Sequence, residues 1–550
     1  MVHPQCAGRA AAAPDLEPDR MNFTHVIHMA RAGSVRAMTS PARLTGPPGS
    51  AAAAGGSPEA VAAALEVLRS GGSAVDGALA AVFAAVMSEP ALTSLGGGGF
   101  CLSADPGARP ELLDFFVDVP GRGGVAGNPV VQTVVVDFAR TGSAAGSSEQ
   151  VFHGGWGTVA VPGCLTGYLA AHARHGRLPL ADVVAPAIVL ARHGVDLAVG
   201  QRTFMHLVAD LLDLTADSRA LFAEAAATGY YANARYAHLL EELAAGRVTG
   251  LADHAVGDAL LDAAASGGGL LTLADLASYR PEVRHPLTAG HADAHVWTNP
   301  PPSVGGAIVA GALARLPGSD GRVDWSVVAD ALASSTIDQR GPGQVPTGTT
   351  HISVVDARGG LASITTSNGS GSGTVIPGLG VALNNMLGEE DLAPADGSRL
   401  PAGARMGSMM APTLVDLPDG SRVALGTGGS ERIRSALLGV IVRLVDEHRP
   451  LVEAVAAPRL HVNGSGPVHV EPGFDDDDLR SLRDLARARG WPSVEVWPRP
   501  NLFFGGVHAV RLAADGSVEA VGDQRRTGSV GVVLPDGQVR TASSPTGSGR

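Results

Sequence analysis

Thr349-Thr350-His351-Ile352-Ser353-Val354-Val355, then Asp356-Ala357-Arg358-Gly359-Gly360, then Leu361-Ala362-Ser363-Ile364-Thr365-Thr366, is the stretch on which the reading of this 550-residue chain turns. β-Branched residues alternate with small polar ones on either side of a turn rich in Asp and Gly, which predicts a hairpin. What precedes it is of another kind. Residues 318–348, and Gly341-Pro342-Gly343-Gln344-Val345-Pro346 in particular, are rich in Gly, Pro, Asp and Ser and predict a flexible connector. A loose segment therefore runs directly into a strand whose first residue carries a hydroxyl.

Upstream, Ser57-Pro58-Glu59 supplies an N-cap and a first-turn Pro for a helix to Arg69, with Gly71-Gly72 as its stop. A second apolar helix is expected from Ala74 to Met87, closed by Glu89-Pro90, and Leu95-Gly96-Gly97-Gly98-Gly99-Phe100 then reads as a loop or tight strand entry. Pro179 to His193 and Arg202 to Ala244 keep helical spacing of apolar residues. Thr272 to Asp275 starts another helix, His295-Val296-Trp297 a strand, and about Gly306 to Leu316 a further helix after Asn299-Pro300-Pro301-Pro302. Downstream, Thr413 to Leu417 and Arg422 to Leu425 form a second hairpin, and helices are expected at Ile433–Val445 and Leu479–Arg489. The acidic run Asp475 to Asp478 complements the dipole at the start of the last helix.

The chain is 45% apolar and 17% charged, so it can bury a large core. A net charge of -13 gives no basic surface for following phosphates, which excludes nucleic acid and anionic membranes as expected partners. Cys6, Cys101 and Cys164 are odd in number and lack any C-x-x-C spacing, against a disulfide framework or a zinc site. His172 and His175 have no carboxylate or cysteine companion at metal-binding spacing and read as solvated or cap-stabilised; no metal and no cofactor is expected. Residues 1–48 offer no apolar signal-peptide core and contain the alternative starts Met21 and Met38. They are expected to be a disordered or mis-annotated extension of a cytoplasmic protein.

An ordered series of short motifs resembles the γ-glutamyltranspeptidase family of N-terminal-nucleophile hydrolases. It comprises Leu68 to Asp76, Glu89-Pro90, Leu95 to Phe100, Val161-Pro162-Gly163, His175 to Pro179, Asn299-Pro300-Pro301, Thr349-Thr350-His351, Leu383-Asn384-Asn385, Met409 to Thr413 and Gly428-Gly429-Ser430. Each is weak alone; their shared order from about residue 49 to 532 carries the resemblance. It implies an α/β fold, a four-layer αββα sandwich, and a precursor that cuts itself between Gly348 and Thr349. The products would be a large subunit, 49–348, and a small catalytic subunit, 349–550, that stay together. Thr349 would be the nucleophile, its own freed α-amine, of pKa about 7.7–8.0, the general base. Thr366 matches the threonine that hydrogen-bonds the nucleophile, Gly428 and Gly429 the oxyanion-binding amides, and Asn368, Glu389 and Ser408 donor-site residues.

The departures concern the donor. In Asp114-Phe115-Phe116-Val117-Asp118, Phe116 stands where the family has the arginine that grips the donor carboxylate, Met386 replaces a polar residue, and Gly407 replaces the first of two serines. Three functions stay open. One is a γ-glutamyltranspeptidase-like acyl hydrolase or transferase acting on glutathione-like amides. Another is a specialised hydrolase of an antibiotic or secondary-metabolite pathway that cuts an acyl-type bond, C–C bonds included, of an amino-acid-derived intermediate. The third is a catalytically idle binding protein.

Overall fold

Alternate residues of one short strand serve two cores, and from this the architecture follows. In Ala51–Gly55, Ala51 and Ala53 pack among the helices Pro58–Arg69 and Ala74–Ser88, whereas Ala52 and Ala54 join Val423, Val510 and Val521 on the opposite face. A computed structural model describes residues 40–124, 128–137, 149–319, 321–336, 348–389, 392, 400–464 and 466–544. Two antiparallel sheets stack face to face. The eight-stranded one runs, edge to edge, Val539–Ser543, Ser529–Val533, Ala51–Gly55, Gly348–Val355, Leu361–Gly369, Gly98–Ala104, Glu111–Phe115 and Glu282–Arg284. The seven-stranded one runs Ala42–Gly46, Val518–Gly522, His508–Leu512, Arg422–Gly426, Thr413–Asp416, Ala294–Thr298 and Leu287–His291.

Helices cover both outer faces. Ala74–Ser88 is buried along its whole length, as a helix apolar on every face beyond its first turn must be. It begins with a reciprocal cap between Ser73 and Asp76. Full burial of a side chain such as Leu79 or Phe83 stabilises by about 1.5–3 kcal/mol. On the far side Gly305–Leu313, Trp325–Ser335 and Arg432–Val445 pack through Ile308, Val328, Leu437 and Ile441. The result is the αββα sandwich. Between the sheets the central hairpin is polar: Ser353 Oγ donates to His508 O at 3.1 Å and Ser363 Oγ to Leu425 O at 3.1 Å. These bonds fix one sheet against the other.

Several sequence expectations change. The strand Ala42–Gly46 pairs along its length with Val518–Gly522, so the boundary expected at residue 48 cuts off a sheet edge; residues 1–39 lie outside the described residues. The expected connector contains a helix, Trp325–Ser335, because Asp324 caps it and Trp325 packs edge-on against Phe474 and under the Arg443 guanidinium. Residues 337–347, including the Gly341–Pro346 run, lie outside the described residues. The helical middle section is interrupted by Tyr230–Tyr231, which pairs with Val195–Asp196. Asp475 caps Asp476–Arg489 through the Asp478 amide, as its acidic run predicts. Among the described residues no helix is long and apolar enough to cross a membrane.

Candidate active site

The register of the central hairpin decides which hydroxyl meets Thr349. Val355 pairs with Leu361 across the Asp356–Gly360 turn, and counting back along both strands sets Thr349 opposite Ser367 and Thr350 opposite Thr366. Successive side chains point to opposite faces, so Thr366 cannot approach Thr349. Its hydroxyl instead lies 2.8 Å from Thr93 Oγ1. Ser367 takes the position assigned to Thr366 in the sequence: Thr349 Oγ1 donates to Ser367 Oγ at 3.2 Å, and Ser367 Oγ donates to the Gly348 carbonyl at 2.5 Å. The Gly369 amide donates to the same serine oxygen at 2.9 Å and fixes it. A register shift falls between Gly348 and Thr349.

Thr349 and Ser367 open onto a cleft also lined by Phe116, Met386, Glu389, Leu392, Ser408, Met409, Met410 and Ile433. Phe116 is stacked on Phe100, ring centroids 5.6 Å apart. Glu389 Oε1 accepts from the Ser370 amide at 2.9 Å and the Ser370 hydroxyl at 3.0 Å, which holds its carboxylate at the wall. Ser408 Oγ accepts from the Met410 amide at 3.1 Å. Asn368 does not line the cleft; its side chain faces Gly97, on the other side of the strand from Ser367. Gly407 is likewise off the cleft wall, beside the Pro302 carbonyl.

Gly428 and Gly429 connect the strand Arg422–Gly426 to the helix Arg432–Val445, and Ser430, next in the loop, lines the cleft. A Cβ on Gly428 would lie 2.3 Å from the Thr349 carbonyl oxygen, so only glycine lets this loop close over the strand. Beneath the same strand runs the turn after Ala74–Ser88. There Glu89 is buried with the Thr350 and Ser57 hydroxyls facing it; burial pushes its carboxyl up to about 6 although those hydroxyls favour the charged form. His351, between the sheets, contacts Thr365 Oγ1 at 2.8 Å and Ser353 Oγ at 2.9 Å, and burial drives its pKa well below the usual value. A neutral imidazole there braces the hairpin.

Two arginines behind the Phe116 segment are committed elsewhere. Arg405 bonds Asp118 at 2.6 Å, Asp114 at 2.8 Å and the Arg280 carbonyl at 2.8 Å, immediately behind the Phe116 segment. Arg284 bonds Asp114 at 2.7 Å. His172 meets the Leu178 carbonyl at 2.8 Å with Asp76 at 3.9 Å, and His175 lies 3.3 Å from Glu111 and 3.6 Å from Asp105, so each has a carboxylate companion that the sequence spacing did not show.

Comparison with known proteins identifies the family and the fold. The chain is 29% identical over 528 residues to "Acylase ACY 1 proenzyme" of Pseudomonas sp. (strain SE83), covering 86% of this chain and 91% of that one. It is 26% identical over 533 residues to "Glutathione hydrolase proenzyme" of Escherichia coli (strain K12), covering 84% and 88%. The solved cephalosporin acylase of Bacillus halodurans superposes with a TM-score of 0.72 at 21% identity, over 96% of this chain and 99% of that one, and so shares the fold. The family model for gamma-glutamyltranspeptidase matches residues 60–334 and 323–533. With its sandwich, its hydroxyl-led hairpin and these relatives, the chain belongs to the gamma-glutamyltranspeptidase family of N-terminal-nucleophile enzymes.

Proposed function

We propose that this protein is a self-processing acyl hydrolase whose nucleophile is Thr349, freed by cleavage at Gly348–Thr349, and whose donor pocket selects an acyl group without a carboxylate. The observation that carries the reading is the chain of hydroxyls at the bond itself. Ser367 donates to the Gly348 carbonyl while accepting from Thr349 Oγ1. It polarises the carbonyl that Thr349 Oγ1 would attack. Attack forms an ester between Thr349 and Gly348 as the Thr349 nitrogen leaves as an amine, and water then hydrolyses the ester. The new α-amine sits on the residue that carries the hydroxyl, and its ordinary pKa of about 7.7–8.0 suits a general base near neutrality. Both curated relatives above are named as proenzymes, which supports a precursor cut into two chains.

In this scheme the Gly428-Gly429 loop would bind the oxyanion of each acyl-transfer step. Glu389 would take an amino group of the donor, and Phe116, Met386 and Leu392 its apolar part. Denaturing electrophoresis tests the maturation step: two bands are expected, the smaller with the N-terminal sequence Thr-Thr-His-Ile. A single full-length band would favour an idle binding protein. The apolar wall favours a specialised hydrolase of an amino-acid-derived intermediate over a glutathione hydrolase.

Two substitutions probe the roles. Ser367→Ala removes the group that touches both the nucleophile and the carbonyl, and is expected to slow maturation and lower kcat by about tenfold to hundredfold. Pulse-chase analysis of the precursor reads the first effect and steady-state kinetics the second. Gly428→Val places carbon against the Thr349 carbonyl and displaces the loop, with an expected loss of about 10²-fold in kcat. If the mature Gly428→Val enzyme kept the parent kcat, this loop would not be the oxyanion site.

A further inference from the structure

The oxyanion loop is backed by a charged residue outside the family motifs. The Arg526 stem packs on Gly506, and its guanidinium lies over the loop: a Cβ on Gly428 would come within 2.9 Å of Nη1, and one on Gly429 within 3.4 Å of Nη2. Its Nε is buried without a hydrogen-bond partner. The position of this side chain is therefore set by packing and by charge rather than by a hydrogen bond from Nε. Of the charges acting on it, Glu89 attracts it most strongly and Asp523 next, with Arg459 opposing them. We propose that Arg526, packed against the Gly428-Gly429 loop, is a positioning residue for it, with the buried carboxylate of Glu89 attracting the guanidinium from a distance.

Glu89 also reaches the nucleophile's strand. It closes the helix Ala74–Ser88, its amide donating to Ala85 O at 2.7 Å, and the turn that follows carries Leu92, whose carbonyl accepts the Asn368 amide at 3.2 Å. Its side chain faces Ser57, Thr350, Glu59 and Arg526. One buried carboxyl thus faces the residue after Thr349 on one side and attracts the arginine behind the loop on the other. The groups around Arg526 titrate far from neutrality except this one. Asp523 is held at about 2 despite its burial, because Arg459 and Arg525 favour its anion, and His508 is driven by burial to about 4. Glu89, at about 6, gains its charge between roughly pH 5 and 7. Above that window two carboxylates attract Arg526; below it, Asp523 alone does.

This inference rests on the reading of Gly428-Gly429 as the oxyanion site, and the experiment separates the two. Arg526→Met is expected to lower kcat about tenfold to hundredfold with KM changed less than about threefold, and Arg526→Lys to recover part of the loss. In the parent, log kcat against pH should fall with unit slope below the pKa of the α-amine and steepen below about pH 6 as Glu89 is protonated. Glu89→Gln fixes the uncharged form, so kcat at pH 7.5 should fall about threefold to tenfold and the steepening should vanish. A general loss of packing would leave that break in place. Should Arg526→Met fail to mature, Arg526→Lys and Glu89→Gln carry the test. Parental kcat in the Arg526 variants, or a break that survives in Glu89→Gln, overturns the assignment. A parent without acyl-hydrolase turnover would remove the reading beneath it.

Discussion

Thr349→Ala is expected to remain a single uncut chain and to lose turnover by about 10³-fold or more. Both losses have one cause. The alanine keeps the backbone and its strand pairing with Ser367, so the fold should survive; what disappears is the oxygen 3.2 Å from Ser367 Oγ that would attack the Gly348 carbonyl. Without that attack no α-amine is released, and the later acyl transfers lose nucleophile and base together. A 10³-fold loss corresponds to about 4 kcal/mol of transition-state stabilisation, beyond what one hydrogen bond contributes to stability. Thermal melting of the variant should therefore shift little while activity is abolished. Intact mass measurement on protein made without proteases reads the cleavage. A Thr349→Ala chain cut at 348/349 would show that another group attacks the carbonyl.

The architecture was legible where an element's own residues carry its period or its cap. Two-residue alternation in Thr349–Val355 and the cap at Ser57-Pro58 lie open in the sequence, and both elements form where that pattern puts them. Local pattern was less informative where distant chain decides the outcome. Ala42–Gly46 is a strand because Val518–Gly522 offers it an edge, and nothing within residues 1–48 announces that partner. The identity of the hydroxyl beside Thr349 was a question of register. Thr366 and Ser367 adjoin and both carry hydroxyls, so residue type could not choose between them, whereas counting across the hairpin turn could have. Likewise Asn368 points away from the cleft because it neighbours Ser367 on a strand. Glu89 and Arg526, 437 positions apart, become neighbours only after both sheets are built.

The mature enzyme should hydrolyse glutathione and γ-glutamyl-p-nitroanilide poorly, with kcat/KM about tenfold to thousandfold below that of the Escherichia coli relative assayed beside it. A γ-glutamyl donor brings a carboxylate as well as an amino group into the pocket. Among the described residues lining the cleft there is no lysine or arginine, and the one formal charge is the carboxylate of Glu389. Phe116, where the family's arginine is expected, presents a ring stacked on Phe100. Arg405 cannot stand in, since its guanidinium is already shared between Asp114, Asp118 and the Arg280 carbonyl. Losing a charge-assisted contact forfeits about 1.5–3 kcal/mol, and desolvating a carboxylate against Phe and Met adds about 1–3 kcal/mol more. Each 1.4 kcal/mol is a factor of ten, so the smaller of these losses alone gives about tenfold and the two together, near the middle of their ranges, about a thousandfold. Amino-acid-derived acyl donors that keep the amine and lack the carboxylate should be turned over faster, because Glu389 remains to meet the amine. Phe116→Arg should raise γ-glutamyl hydrolysis about tenfold, while melting temperature reports what the lost stacking costs. Efficiency in the parent equal to that of the Escherichia coli relative would mean that a cation outside this wall reaches the donor, and the apolar-donor reading would then give way to glutathione-like amides.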